Sequence, residues 1–284
     1  MSLLFVLPFA QSQRDVMSVS MSESTGYSSD LSESEWKLVA QIVPAPKGGG
    51  RPPTHERITI VNAIMYREKT GIQWRMMPND FPPWKTVYGY FNSWTKTGVW
   101  KALNAKLVAM CRIQAGREAE PTAMILDSQS VKGTPMTEES GYDAGKKVNG
   151  HKRHLAVDVL GLVLVVCVTA ASVQDRDGAR PVVTQVMAEH PTIAHAWADS
   201  AYSSSFQDWA AKEHGLSVEI VSKLEGQKGF KVQPRRWVVE RTFGWLNWNR
   251  ILSKEYDRLI VSSEAHVYLA AVRIMLRRLT AGTA

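Results

Sequence analysis

Hydrophobic side chains recur with helical spacing after the first 30 residues. Ser32 and Glu35 have the spacing of a helix-capping box, and apolar residues follow them at intervals of three and four to about Ile42. Further apolar stripes, punctuated by glycine, predict helices at residues 57–69, 84–96 and 99–114. Short amphipathic helices of this kind are typical of a helix-turn-helix-like bundle.

The pattern changes near residue 122, where short continuous apolar runs replace the helical stripes. Runs of this kind are typical of buried strands, and two of them, joined by Leu160-Gly161, predict a β-hairpin. The polar, glycine-bearing stretch at residues 132–150 predicts a loop. The predicted strands are residues 123–126, 154–159, 162–170, 193–198 and 217–221, and the predicted helices are residues 178–189, 204–214 and a long helix from about 234.

These elements predict three parts of the chain. A serine-rich tail over residues 1–30 is expected to be disordered, or to be upstream sequence read from an early start codon. Residues 31–115 would form an all-α, helix-turn-helix-like domain, which is either a DNA-binding module or a plain helical bundle. Residues 122–284 would form an α/β domain, a mixed sheet flanked by helices with the layout of a ribonuclease-H-like core.

Three acidic residues occupy settings that indicate a shared role. Asp127 and Asp199 each follow a predicted buried strand, and strand ends are where open α/β sheets place their ligands. Glu240 lies beside the apolar stripe of the last predicted helix, where an acid needs a partner or a metal ion. Three converging carboxylates can hold two Mg²⁺ ions, which clamp the attacking and leaving oxygens of a phosphoryl transfer.

Each acid also has a structural interpretation. Asp127 and Asp199 can cap turns at the ends of their strands, and Glu240 can form an ion pair with Arg236 one turn earlier. The other acids that compete for the metal-binding role are Asp158, Asp175 and Asp177. Asp158 lies in the predicted hairpin, and Asp177 suits the N-cap of the helix that follows it.

Positive charge is concentrated towards the C-terminus. The formal net charge is +7, and residues 223–278 alone contain 12 Lys/Arg against 5 Asp/Glu. A local basic excess indicates a polyanion, most often nucleic acid, although a solvated helix face has the same composition. The candidate DNA contacts are Lys146, Lys147, Lys152 and Arg153 in or beside the predicted loop, and Arg236, Arg241, Trp245 and Arg250 on the last predicted helix.

The tryptophans, the cysteines and the lengths of the apolar runs give further expectations about function and location. Trp237, Trp245 and Trp248 can stack on an unpaired base or belong to the core. Cys111 and Cys167 have no CxxC partner and are interpreted as buried free thiols of a reducing compartment, so zinc and disulfides are not expected. No apolar run approaches the roughly 18 residues of a membrane span. We expect a cytoplasmic, nucleoid-associated protein with no membrane partner.

Seven blocks of sequence carry a resemblance to a known family. They are LSESEWKLVAQIVP, TGIQWRMMPNDFPPWKTVYGYFNSW, ILDSQSVK, GHKRHLAVDVLGL, SVQDRDGA, ADSAY and RRWVVERTFGWLNWNR. Together, from about Leu31 to Arg278, they resemble the DDE transposases of bacterial insertion sequences, in particular the insertion-sequence-five group. That family carries its acidic triad in the contexts that Asp127, Asp199 and Glu240 occupy here.

The resemblance implies an activity and its partners. It implies metal-dependent cleavage at the ends of an insertion sequence and strand transfer into target DNA, with Mg²⁺ as cofactor and Mn²⁺ as a substitute. The partners would be double-stranded DNA, namely terminal repeats and target, bound by a homodimer or higher oligomer. Two alternatives remain open: a nuclease of the same fold that only cleaves, and a DNA-binding relative that has lost catalysis.

Overall fold

The computed structural model describes residues 26–45, 53–221 and 235–281. Most of the tail predicted from the sequence lies outside the described residues. Residues 26–30, which the sequence assigns to that tail, include a turn on the surface of the C-terminal helix. There the Arg273 guanidinium donates to the carbonyl oxygens of Ser28 and Asp30 at 3.3 and 3.2 Å.

Helices make up the described chain before the sheet. They are α1 (Glu33–Val39), α2 (Arg57–Thr70), α3 (Trp84–Lys96) and α4 (Val99–Gln114). All four are predicted, although α1 ends earlier than expected. The capping box is confirmed, since the Glu35 N–H donates to Ser32 Oγ and the Ser32 N–H donates to Glu35 Oε2. Gly71 and Gly98 separate the helices with φ angles of 69° and 73°, a left-handed conformation that glycine adopts without a steric penalty.

Six strands in the described ranges form one mixed sheet. They are β1 (Ala123–Lys132), β2 (Gly141–Asp143), β3 (Val148–Val157), β4 (Val163–Ala170), β5 (His195–Ala198) and β6 (Ser217–Ile220). The order is β4-β3-β1-β5-β6, with β2 beside the first residues of β3. β3 pairs antiparallel with β1 and β4, whereas β5 pairs parallel with β1 and β6. The predicted hairpin and the mixed, ribonuclease-H-like sheet are confirmed.

The predicted loop over residues 132–150 is wrong in part. β1 continues to Lys132, and β2 and the start of β3 fall inside the stretch that the sequence assigns to the loop. The polar residues of this stretch gave no apolar run to mark them as strand. Their backbones are nevertheless paired, because β1 and β3 form a ladder from Ile125 opposite Val157 to Lys132 opposite Gly150.

The C-terminal half contains four α-helices in its described part. They are α5 (Asp175–Glu189), α6 (Ser205–His214), α7 (Trp237–Leu246) and α8 (Ile260–Thr280). The single long C-terminal helix predicted from the sequence is therefore wrong. The Asn249 side-chain amide donates to the Leu246 carbonyl oxygen at 3.2 Å, which satisfies a group that a continuing helix would have bonded. Asp177 is not an N-cap either, since α5 begins at Asp175 after Gln174.

Helix α8 is the element on which both parts of the chain pack. Helices α1 to α4 all contact it, and it lies against β4. Buried side chains from the helical region and from the α/β region belong to one hydrophobic cluster. In the described part of the chain, no helix combines the length and the apolar character needed to cross a membrane.

A buried group of charged residues lies between α2 and α8. His266 approaches the Glu68 carboxylate at 2.6 Å through Nδ1 and the Asp257 carboxylate at 3.2 Å through Nε2. The Arg67 guanidinium lies 3.6 Å from the same Asp257. Burial alone would lower the pKa of His266, but Asp257 and Glu68 raise it to about 9.

The boundary between a domain of residues 31–115 and one of residues 122–284 stays a prediction. A fragment that ends at residue 115 would expose the faces of α2 and α4 that cover α8 in the whole chain. A test of DNA binding by that fragment must therefore begin with its folding.

Removing one partner of the buried charged group is expected to destabilise the folded protein. Glu68→Gln leaves the buried Arg67 and His266 side chains with one carboxylate fewer, so we expect the free energy of unfolding to fall by about 3–5 kcal/mol. Glu33→Gln is the control, because Glu33 and Lys37 form an exposed pair 2.7 Å apart, and its urea midpoint should barely move. Equal midpoint shifts in the two variants would contradict the expectation.

Candidate active site

The pairing of β1 with β5 places Asp127 and Asp199 at the same level of the sheet. Ile125 opposite Trp197 is the last parallel pair, and each acid lies two residues beyond it. The two strands are therefore neighbours, as expected. The prediction that Asp127 follows the end of its strand is wrong, since β1 continues to Lys132 against β3.

A backbone amide holds one oxygen of each carboxylate. Asp127 Oδ1 accepts from the Ser128 N–H at 2.7 Å, and Asp199 Oδ1 accepts from the Ala201 N–H at 2.9 Å. Asp199 is also the N-cap of a short 3-10 helix, so its turn-capping interpretation is correct. Capping uses only Oδ1, which leaves Oδ2 of each acid for another partner.

Glu240 approaches the same region from α7. This helix packs on β1 and β3, and Val239, Phe243 and Leu246 are buried with the predicted spacing. Glu240 lies beside this stripe, and 43% of its side chain is exposed. The packed face of α7 thus holds the third carboxylate against the sheet while leaving it open to solvent.

One guanidinium nitrogen lies between the three acids. Arg236 Nη2 is 3.7 Å from Asp127 Oδ2, 3.8 Å from Asp199 Oδ2 and 3.3 Å from Glu240 Oε1. The structure therefore brings the three carboxylates together around a single point. The ion pair of Glu240 with Arg236 exists, and it extends to both aspartates. Arg236 Nε has no hydrogen-bond partner among the described residues.

The environment of Asp127 disfavours its charged form. Burial raises the pKa of Asp127 to about 6, although the Ser128 N–H and Arg236 favour the ionised carboxylate. Asp199 adds to the rise through charge repulsion. A carboxylate kept in such a place is typical of a site that takes a cation.

The three carboxylates are ligands of the type that a hard divalent cation prefers. In this structure their oxygens are not spaced to coordinate one. Mg²⁺ prefers oxygen ligands at about 2.0–2.1 Å. Here the oxygens stand 3.3–3.8 Å from the Arg236 nitrogen, as ion-pair partners of a guanidinium. Across residues 26–45, 53–221 and 235–281, no group of three or more His, Cys, Asp or Glu side chains is arranged to hold a metal ion. The donor set fits, and the guanidinium fills its centre.

Two of the three competing acids have other partners. Asp158 is buried and bound by Arg112 of α4, and its second oxygen accepts two amides of the hairpin turn. Asp175 lies 2.8 Å from Lys152. Asp177 is exposed in the first turn of α5. These contacts give Asp158 and Asp175 structural roles that do not require the triad.

Lys152 and Arg153 do not belong to a DNA-contacting loop. Both lie on β3, which is buried at residues 150–157, and successive strand residues point to opposite faces. Lys152 reaches Asp175 on one face, and Arg153 reaches Glu255 at 3.5 Å on the other. In this structure both charges are paired with acids inside the protein, and the role of the two residues as DNA contacts stays a prediction.

The other predicted DNA contacts are closer to the surface. Lys146 and Lys147 are exposed, and Lys146 Nζ lies 3.5 Å from the Ser128 carbonyl oxygen, next to Asp127. Arg250 is exposed beyond α7. These side chains remain candidates for phosphate contacts.

A stack of indoles and guanidinium groups covers the outer side of α7. The Arg241 guanidinium lies 4.4 Å from the Trp237 ring and 4.3 Å from the Trp245 ring. Arg278, from α8, lies 5.6 Å from the Trp245 ring. Trp237 is 39% exposed, so this stack is at the surface. Sequence reasoning missed Arg278, because no local spacing relates it to Trp245.

The raised pKa of Asp127 predicts how the stability of the metal-free protein depends on pH. The pKa of Asp127 is raised in the fold, so the folded state is favoured by protonation and loses stability as pH rises from about 4 through 6. Asp127→Asn should therefore raise the free energy of unfolding at pH 7.5 by about 1–3 kcal/mol and change it little at pH 4. Melting curves in EDTA measure this, with the exposed Asp177→Asn as control. A variant less stable than wild type at pH 7.5 would contradict it.

Comparison with known proteins adds two family matches and one relative. Residues 31–104 match a family described as "Putative transposase of IS4/5 family", and residues 118–274 match one described as "Transposase DDE domain". The protein "Putative transposase for insertion sequence element IS402" of Burkholderia cepacia is 28% identical over 141 residues, covering 47% of this chain and 65% of the relative. The chain thus spans just under two thirds of that relative's length.

A solved structure gives a weaker similarity. The catalytic core domain of BIV integrase has 16% sequence identity and a TM-score of 0.33, and the match covers 53% of this chain and 81% of the integrase chain. The match to the transposase DDE domain model is the stronger finding, since it extends over more than half of the 284 residues. This protein belongs to the DDE transposase family.

Proposed function

We propose that this chain is a DNA transposase that cleaves DNA at the ends of an insertion sequence and transfers the freed strand into target DNA. The observation that carries the proposal is the convergence of Asp127, Asp199 and Glu240 on one point. The family match and the relative's printed description support it. The catalytic and metal-binding residues proposed are these three acids.

In this proposal the three acids come from two parts of the fold, the sheet and α7. Asp127 and Asp199, on neighbouring strands, would hold the cation from the sheet, and Glu240 would close the site from α7. Mg²⁺, or Mn²⁺ in its place, would supply two-metal activation of the attacking oxygen and neutralisation of charge at the leaving oxygen. The packed stripe of α7 keeps Glu240 at a fixed distance from the sheet, which phosphoryl transfer requires because it depends on positioning.

The chemistry proposed is two successive displacements at phosphorus. In the first, water attacks the phosphodiester, a new P–O bond forms, the bond to the 3′ oxygen breaks, and that oxygen takes a proton to leave as a 3′-hydroxyl. In the second, the 3′-hydroxyl attacks a target phosphodiester, forming a new P–O bond and releasing a target 3′-hydroxyl. Neither step needs a covalent link between DNA and protein.

The proposed DNA partner is double-stranded, comprising terminal repeats and target, and the acting species is a homodimer or higher oligomer. Lys146, Lys147 and Arg250 are exposed and can meet phosphates. The stack around Arg241 offers a positively charged aromatic surface on the same helix as Glu240. Helices α1 to α4 would hold the terminal repeat.

The triad can be tested by separating cleavage from binding. Asp127→Ala, Asp199→Ala and Glu240→Ala should each lower metal-dependent cleavage of a terminal-repeat duplex by at least about 10³-fold, because each removes a charged group that acts in the transition state. Binding of the same duplex should change little. Asp177→Ala is the matched control and should retain cleavage, since Asp177 is exposed on α5.

A strand-joining assay distinguishes a transposase from a nuclease. Joining of a labelled 3′-ended DNA to a plasmid is expected for the wild-type protein. Cleavage without joining would favour the nuclease, and binding with neither would favour the inactive relative. Near wild-type cleavage by any one alanine variant would remove that acid from the proposed site.

The surface residues predict a change in salt dependence. Removing one phosphate contact should flatten the slope of log affinity against log salt by about 0.9 on duplex DNA. We expect this for Arg250→Ala, because Arg250 is exposed. Arg153→Ala is the control: it breaks a buried pair with Glu255, so it should lower the melting temperature and leave the slope unchanged. A flattened slope for Arg153→Ala alone would reverse the two assignments.

A further inference from the structure

Arg236 occupies the point at which the proposed metal-binding carboxylates meet. Its Nη2 atom is within 3.8 Å of all three acids, whereas the ordinary helical ion pair involves only Glu240, one turn later. Three carboxylates that close together repel each other unless a cation lies between them. In this conformation the cation is a side chain of the protein itself.

The guanidinium and a metal ion exclude each other from this point. Oxygen ligands approach Mg²⁺ to about 2.0–2.1 Å, so the carboxylates must move inward by more than 1 Å when they coordinate it. Nη2 stands in the space into which they would close. A guanidinium is also a fixed positive charge, which repels a divalent ion at that distance.

We infer that Arg236 is an internal cation that keeps the three carboxylates together before metal binds and that leaves them when metal binds. The inference rests on the proposed function, since it takes the three acids as the metal ligands. Arg236 is in this sense a positioning residue, which preserves the shape of the site at the cost of metal affinity.

The contacts of Arg236 are compatible with its release. It is the N-cap residue of α7, so its side chain can leave the acids while the buried stripe from Val239 to Leu246 stays packed. The Arg236 Nε atom has no hydrogen-bond partner among the described residues. The shortest ion-pair distance of Arg236 is 3.3 Å, from Nη2 to Glu240 Oε1. Once displaced, the guanidinium is free to contact a DNA phosphate, the role that the sequence indicates for Arg236.

Binding of Mn²⁺ to the full-length protein without DNA tests the inference. Mn²⁺ is the probe, and its electron paramagnetic resonance signal reports the free ion. Arg236→Met keeps a side chain of similar length but removes its charge, so we expect the dissociation constant for Mn²⁺ to fall by tenfold or more. Arg236→Lys keeps the charge and should stay within threefold of wild type.

Arg241→Met is the matched control. Arg241 lies five residues further along the chain and its guanidinium lies between the Trp237 and Trp245 rings, so its loss should leave Mn²⁺ affinity unchanged. Melting curves give an independent measurement. In EDTA, Arg236→Met should melt below wild type because the acids lose their cation, and Mn²⁺ should raise its melting temperature by more than it raises that of wild type.

The outcomes separate this inference from the proposed function. Unchanged or weaker Mn²⁺ affinity in Arg236→Met, with affinity lost in Asp127→Ala, would leave the metal site in place and overturn the role of Arg236. Tighter Mn²⁺ binding by Arg241→Met as well would also overturn the role of Arg236. The loss of any positive charge on α7 would then be enough to raise the affinity for Mn²⁺. Saturable Mn²⁺ binding that is insensitive to Asp127→Ala, or absent altogether, would overturn the metal site and the inference with it.

Discussion

The parallel register of β1 with β5 is the constraint on which the site depends. Ladder hydrogen bonds fix Ile125 opposite Trp197, and Asp127 and Asp199 then come side by side. A shift of one residue in either strand would turn its acid to the other face of the sheet. Glu240 faces these two acids only because α7 packs its apolar stripe on β1 and β3. The geometry of the carboxylates is therefore a property of backbone pairing and core packing.

Local signals made much of this arrangement predictable from sequence. The capping box at Ser32, the glycines that end helices and the apolar runs before Asp127 and Asp199 each act within a few residues. The stripe beside Glu240 is equally local. The three acids could be chosen for this reason, and their convergence then followed from the expected order of the strands.

The features that sequence reasoning missed depend on distant parts of the chain. Lys152 and Arg153 resemble loop residues until α5 and the segment near Glu255 cover the two faces of β3. The position of Arg236 between three acids requires two strands that no helical spacing relates to it. After Leu246 the helix ends, and its last carbonyl oxygen accepts from the Asn249 side chain, a contact with no strong signal in the sequence.

Helix α8 has a consequence for how the two parts of the chain can move relative to each other. The helices α1 to α4 and strand β4 all rest on it, and His266 locks it to α2 through buried charges. With 21 residues it is about 30 Å long. Because helices α1 to α4 and strand β4 bury side chains on this one helix, a shift of either part of the chain relative to the other would have to break packing on α8.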